Sequence, residues 1–191
     1  MPSIVLSAPL VEPVTLAEAK AYLRVEHDDD DDVIAALIAG ARVHVEAQTR
    51  RALITQSWRL IRDAWPADGR MTVLPAPLQA LTAARVHRLD GSTQAIDPQA
   101  FVVDAASAPA RLSFASGAPP APGRPFGGIE LDIDVGYGDE PSDVPADLQQ
   151  AIRTLVAHWY ENRGVIALGE SVAVLPQQVA ALLAPYRVRA L

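Results

Sequence analysis

Two stretches decide the fold: Ile129-Glu130-Leu131-Asp132-Ile133-Asp134-Val135, and the segment that opens at Val144-Pro145-Ala146-Asp147-Leu148. In the first, apolar and acidic residues alternate, the period of a strand with one face covered. In the second, Leu148, Ile152, Leu155, Val156 and Trp159 recur at helical spacing, with Gln149, Arg153 and Glu161 off the stripe. Pro145 suits a first helical turn and Gly164 a stop. The period changes within a few residues, so the fold must hold both a sheet and a helical layer.

Working outward, the residues up to about Ala52 read as helical. Thr15 followed by Glu18 is a capping box, and Leu16, Tyr22 and Leu23 mark the short helix it opens. After the acidic run Asp28 to Asp32, residues Ile34, Leu37, Ile38, Ala41 and Val45 predict a long amphipathic helix to about Arg51. The acids stand at its positive end and Arg50 and Arg51 at its negative end. From Leu53 to about Gly138 the pattern is that of short strands: Ile54 to Leu60, a hairpin at Asp90-Gly91 returning toward Ile96, Phe101 to Val103, and Leu112 to Phe114. Ala115 to Pro125 holds four prolines and two glycines and should project as a loop. The tail from Val165 to Leu191 has one short helix candidate, Pro176 to Ala184, too short to stand alone. The expected class is α+β: a small helical bundle with an inserted β-rich region and an extended C-terminal tail. The corresponding boundaries are 1–52, 53–140, 141–164 and 165–191.

Composition narrows the function. The chain has 191 residues, a formal net charge of −7 and half its residues hydrophobic, which suits one domain, or one domain with an insertion, around a real core. The absence of cysteine removes disulfides, thiolate metal sites and thiol nucleophiles together. A single lysine, Lys20, in an acidic chain argues against wrapping duplex DNA through phosphate contacts. No apolar run is long enough to span a membrane and no secretory signal opens the chain, so a cytoplasmic origin is expected. Fifteen arginines against one lysine, with 34 alanines, fit a GC-rich coding sequence.

No catalytic constellation is visible. His27, His44, His87 and His158 show no metal-binding spacing; no serine lies in a G-x-S-x-G turn, and no glycine-rich phosphate loop is present. The acidic run beside His27 lacks the alternate ligands, glycine and late glutamate of a calcium loop, so a solvated helix start is the simpler account. The expectation is no catalytic residue, no metal and no cofactor. Trp159 reads as core, and Trp65, before Pro66 at a strand end, as a possible contact with another chain.

Three segments together resemble phage head–tail connector (adaptor) proteins, which occur in tailed phages, prophages and gene transfer agents. They are Pro13-Val14-Thr15-Leu16-Ala17-Glu18-Ala19-Lys20 with Leu23; Val144 to Leu148 continuing through Ala151, Ile152, Leu155, Val156, Trp159, Tyr160, Glu161 and Arg163; and Ser171-Val172, Leu175-Pro176 and Leu182 to Arg187. The resemblance implies a non-catalytic virion protein at the particle neck, made in the bacterial cytoplasm. It would form a ring with copies of itself, dodecameric in related particles, beneath the portal protein. There it would extend the DNA channel and carry the stopper, head-completion or tail protein. Double-stranded DNA would pass without specific binding, as an acidic wall offers phosphates few cations; no membrane is involved. On that reading Asp28, Asp29, Asp30, Asp31 and Asp32 are candidates for pairing with a neighbouring subunit. Val179, Leu182 and Leu183 would fill a portal groove, with Tyr186 and Arg187 as anchors. The bland alternative for this tail is that it folds back on its own bundle. The competing class is a bacterial protein- or glycan-binding module that uses the β-rich region for recognition.

Overall fold

Thr15 opens the first helix, α1 (Leu16–Leu23), through a complete capping box: its hydroxyl accepts from the Glu18 amide, and its own amide donates to the Glu18 carboxylate at 2.8 Å. The computed structural model describes residues 3–162 and 176–189. Among these, α2 (Asp31–Thr49), α3 (Ala146–Glu161) and α4 (Gln177–Leu183) complete the helices. Helix α2 buries Ile34, Ile38, Ala41, Val45 and Thr49, one residue per turn on a single face. Helix α3 answers with Leu148, Ala151, Ile152, Leu155 and Val156, and the two pack together as the stripes predict. Both α1 and α2 end on an arginine in left-handed conformation, Arg24 (φ 59°) and Arg50 (φ 56°), whose backbone N–H groups close the last turns.

Trp159, in the last turn of α3, is largely though not fully buried, with its ring edge-to-face on His44 at 6.0 Å and beside Gly40 of α2. The proposed helix stop at Gly164 and the apolar stretch Val165 to Leu175 lie outside the described residues.

The chain divides into two compact units, each drawn from separate segments. The helices belong to the unit formed by Leu10–Ile54 and Gly138–Arg187; the strands belong to Met1–Pro9, Thr55–Tyr137 and Val188–Leu191. In the strand unit, β1 (Ser3–Ser7), β2 (Gln56–Arg62), β8 (Ile129–Val135), β4 (Leu78–His87) and β5 (Thr93–Ile96) form an antiparallel sheet in the order β1-β2-β8-β4-β5. A second antiparallel sheet is ordered β3-β7-β6, from β3 (Arg70–Val73), β7 (Ala110–Phe114) and β6 (Phe101–Asp104). The alternating stretch is β8, central in the larger sheet. It buries Ile129, Leu131, Ile133 and Val135 on one face, and Glu130, Asp132 and Asp134 alternate with them on the other. The Asp90-Gly91 hairpin joins β4 to β5, with Gly91 at φ 82° as the turn requires.

Three expectations need correction. The N-terminal residues are not all helical, because β1 adds an edge strand beside β2. Ile54 precedes β2 and instead bridges to Gly138. The proline-rich loop does not project: the Gly123 amide donates to the His87 carbonyl at 2.8 Å, and a Cβ at Gly123 would lie 1.9 Å from the Leu89 nitrogen. Proline removes ladder donors, yet a glycine-containing loop can still lie flat against a strand end.

Candidate assembly surfaces

The acidic run covers the end of the turn between α1 and α2 and the first two residues of α2, and most of it is engaged within the subunit. Lys20 on α1 reaches both Asp28 and Asp31 at 2.6 Å. Asp28 raises the pKa of the lysine most and Asp31 next, while Lys20 in turn holds the Asp28 carboxyl below its usual range. Asp30 accepts the Tyr160 hydroxyl from α3. On α1 itself, Glu18 accepts from Thr15 and also from Arg153 on α3 at 3.1 Å; the Thr15 backbone is the main cause of its lowered pKa. Asp29, near His27 at 3.9 Å, and Asp32 point to solvent. The five acids are therefore one cluster in sequence but two in space. Three tie α1, α2 and α3 together, and two face outward.

The tail residues divide in the same way. Val179 and Leu183 are fully buried, with α4 packed on α3 and α2. They cannot fill a portal groove while α4 sits there, a correction to the sequence expectation. The apolar side of a seven-residue helix is what holds it to its own bundle. Leu182 and Tyr186 are half-buried and Arg187 is exposed. Tyr186 follows α4 in a 3-10 turn (Ala184–Tyr186); its carbonyl accepts from Arg51 Nε at 2.7 Å and its hydroxyl donates to Asp147 at 3.3 Å. Burial, and then the Asp147 charge, raise the Tyr186 pKa.

In the strand unit, the polar face of the larger sheet carries an ion-pair ladder. Asp132 on β8 receives Arg59 of β2 through two bonds (2.7 and 2.9 Å) and Arg85 of β4 at 2.7 Å. Arg59 is the main cause of the lowered pKa of this buried carboxyl. Glu130 continues the ladder toward His87 at 3.0 Å. Trp65, the other candidate contact, lies edge-to-face on Phe114 at 5.3 Å and donates its N–H to the Pro120 carbonyl at 2.8 Å. Together with Phe101 and Met71 these rings line a cleft of about 210 Å³.

The histidines are dispersed over both units: His44 lies against Trp159, His87 against Glu130, His158 beside Asn162, and His27 at the acidic turn. Among the described residues, no group of three or more histidine, aspartate or glutamate side chains is placed to hold a metal ion. What this geometry offers is charge, exposed edges and a docked tail.

The model of the phage gp6-like head–tail connector proteins matches residues 13–93 and 124–187. The chain belongs to that connector family. The match takes in all of α1, α2, α3 and α4, with β2, β3, β4 and β8. No curated protein matches the chain. Among solved structures, a chain from the neck of an empty gene transfer agent particle computed with C6 symmetry is 24% identical, with a TM-score of 0.83 over 100% of this chain and 97% of that one. A chain from the virion of a native gene transfer agent particle gives 24% and 0.84 over the same shares. One from the neck of a native particle computed with C12 symmetry gives 25% and 0.73 over 98% and 97%. The likeness in fold thus reaches beyond the family model's match, to the N-terminal strand and the region between residues 93 and 124. A head–tail connector has a structural role at the particle neck. Among the described residues of this connector, no helix is long and apolar enough to cross a membrane.

Sequence reasoning missed Lys20, Arg153 and Tyr160 as the partners of the acidic turn. The signal was slight: a lone lysine eight residues before the first of the acids, and a Tyr160 whose reach depends on how α3 crosses α2.

Proposed function

We propose that this connector forms the adaptor ring beneath the portal of a tailed-phage-like or gene transfer agent particle. Twelve copies would extend the DNA channel and present the platform for the stopper or tail. The observation that carries this reading is the likeness to neck chains in particles of C6 and C12 symmetry over nearly the whole chain. Its role on this reading is mechanical, without catalysis. Asp29 and Asp32, the two outward acids, are the members of the acidic run proposed to meet arginines of the next subunit. Arg187, with the exposed sides of Leu182 and Tyr186, is proposed to touch the portal. Duplex DNA would slide through, because an acidic protein releases few counterions from phosphates.

The test mixes the purified chain with the portal protein from the same genome and measures particle mass, followed by imaging of the complex. A ring of twelve subunits on the portal is expected. A chain that stays monomeric, and is not retained by the portal, overturns the reading.

A further inference from the structure

Four strands stand at sheet edges: β1 and β5 in the larger sheet, β3 and β6 in the smaller. They differ in what they show to solvent. On β5 the exposed residues are Thr93 and Ala95, and on β3 they are Arg70 and Thr72. On β1 all five residues are exposed, and Ile4, Val5 and Leu6 keep 49%, 45% and 47% of their surface. On β6, Val102 and Val103 keep 56% and 39%. Among the described residues no strand pairs with the outer side of either.

An open edge is a row of unpaired N–H and C=O groups, and proteins usually blunt it with lysine, proline or an inward charge. Neither Ser3–Ser7 nor Phe101–Asp104 contains lysine, arginine or proline. The one charge, Asp104 at the end of β6, is held by Arg111 at 2.8 Å and Ser107 at 2.7 Å. The bulge on β1 falls between Val5 and Ser7, leaving Ser3 to Val5 in regular register.

Rotation about a single axis makes every subunit contact heterologous, so a ring subunit needs two different surfaces that fit each other. Two unprotected apolar edges on one chain meet that need, since any edge can supply the hydrogen-bond ladder another lacks. We propose that β1 of one subunit pairs edge to edge with β6 of the next copy, so that each subunit's larger sheet continues into its neighbour's smaller one. This rests on the ring reading above. Ile4, Val5, Val102 and Val103 would supply the cross-strand side-chain pairs.

The native chain has no cysteine, so introduced thiols report alone. Residues directly opposite on paired strands lie within disulfide reach. The full-length double variants Ile4→Cys/Val102→Cys, Val5→Cys/Val102→Cys, Ile4→Cys/Val103→Cys and Val5→Cys/Val103→Cys cover both faces of the proposed pair. Assembled on the portal and oxidised, at least one should give a ladder of covalent oligomers up to the full ring. Single-cysteine variants should stay monomeric on denaturing gels. In parallel, Val5→Lys and Val102→Lys, each at an exposed site, should keep wild-type circular dichroism and lose most ring assembly. If wild-type rings form but no double variant crosslinks, or both lysine variants still assemble, the edge pairing is overturned and the ring stands. Dimers from Val5→Cys alone would mean a two-fold β1–β1 contact and also overturn it. If the wild-type chain forms no ring, the ring reading falls and the edge pairing with it.

Discussion

Asp132 is the residue where charge bears most on stability. It is buried between two arginines, and its pKa is held low, chiefly by Arg59. A lowered folded pKa stabilises the protein above the unfolded carboxylate range, near pH 4, and that stabilisation drains away as pH falls through the folded value. Acid titration of stability should therefore be steeper for the wild type than for Asp132→Asn, with the difference confined to acid pH. At neutral pH the same variant leaves Arg59 and Arg85 with only Glu130 nearby. As both arginines are part-exposed, the cost should be about 1–3 kcal/mol by urea unfolding, below that of breaking a fully buried pair. Trp159 can be weighed in the same way. A fully buried tryptophan costs about 3–5 kcal/mol on truncation; largely but not fully buried over His44 and Gly40, Trp159→Ala should cost about 2–4 kcal/mol. A loss below about 0.5 kcal/mol would remove the ring from the bundle's packing.

Among the elements, α4 gives the clearest case of tertiary packing deciding what a short segment does. Seven residues make no stable helix in water. Two fully buried side chains, Val179 and Leu183, fix it on α3 and α2. Leu183→Ala should accordingly cost about 2–5 kcal/mol and lower the melting temperature of the free subunit. An unchanged melting temperature would mean that α4 leaves the bundle in solution. Elements with strong local signals were legible in sequence: the capping box at Thr15, the stripes of α2 and α3, the turn at Asp90-Gly91 and the alternation of β8. Others had weaker ones. In β1 the run Ile4-Val5-Leu6 favours a strand but is too short to identify one without its pairing with β2. β3 is four residues of mixed character beside β7. The candidate site was legible as a composition, five consecutive acids, but not as a geometry. Whether an aspartate faces Lys20, Tyr160 or solvent depends on how three helices cross, which no local pattern encodes.

For the whole molecule, the division of the acidic run has a consequence for assembly. Reversing Asp28 or Asp31 removes partners of Lys20, so such variants confuse folding with association. Asp29→Arg/Asp32→Arg avoids this, since both side chains point to solvent. The double variant should lose no more than about 4 °C of melting temperature, the cost of reversing a charge in the first turn of α2, and assemble less well on the portal, with the deficit shrinking at high salt. Equal ring yield at low salt would leave the two acids as solvated surface.

The bridge between Ile54 and Gly138 places the departure of the chain from the helical unit beside its return. The stretch Thr55–Tyr137 therefore leaves and rejoins the helical unit at adjacent residues, although the strand unit also draws on Met1–Pro9 and Val188–Leu191. Lengthening the stretch between Ile54 and Gly138 adds little to the entropy of closing it, about 0.6 kcal/mol for each doubling. The family model's match has its own gap inside that stretch, residues 94–123. Length changes within Thr55–Tyr137 can therefore be taken up without parting the two residues, Ile54 and Gly138, between which that stretch runs.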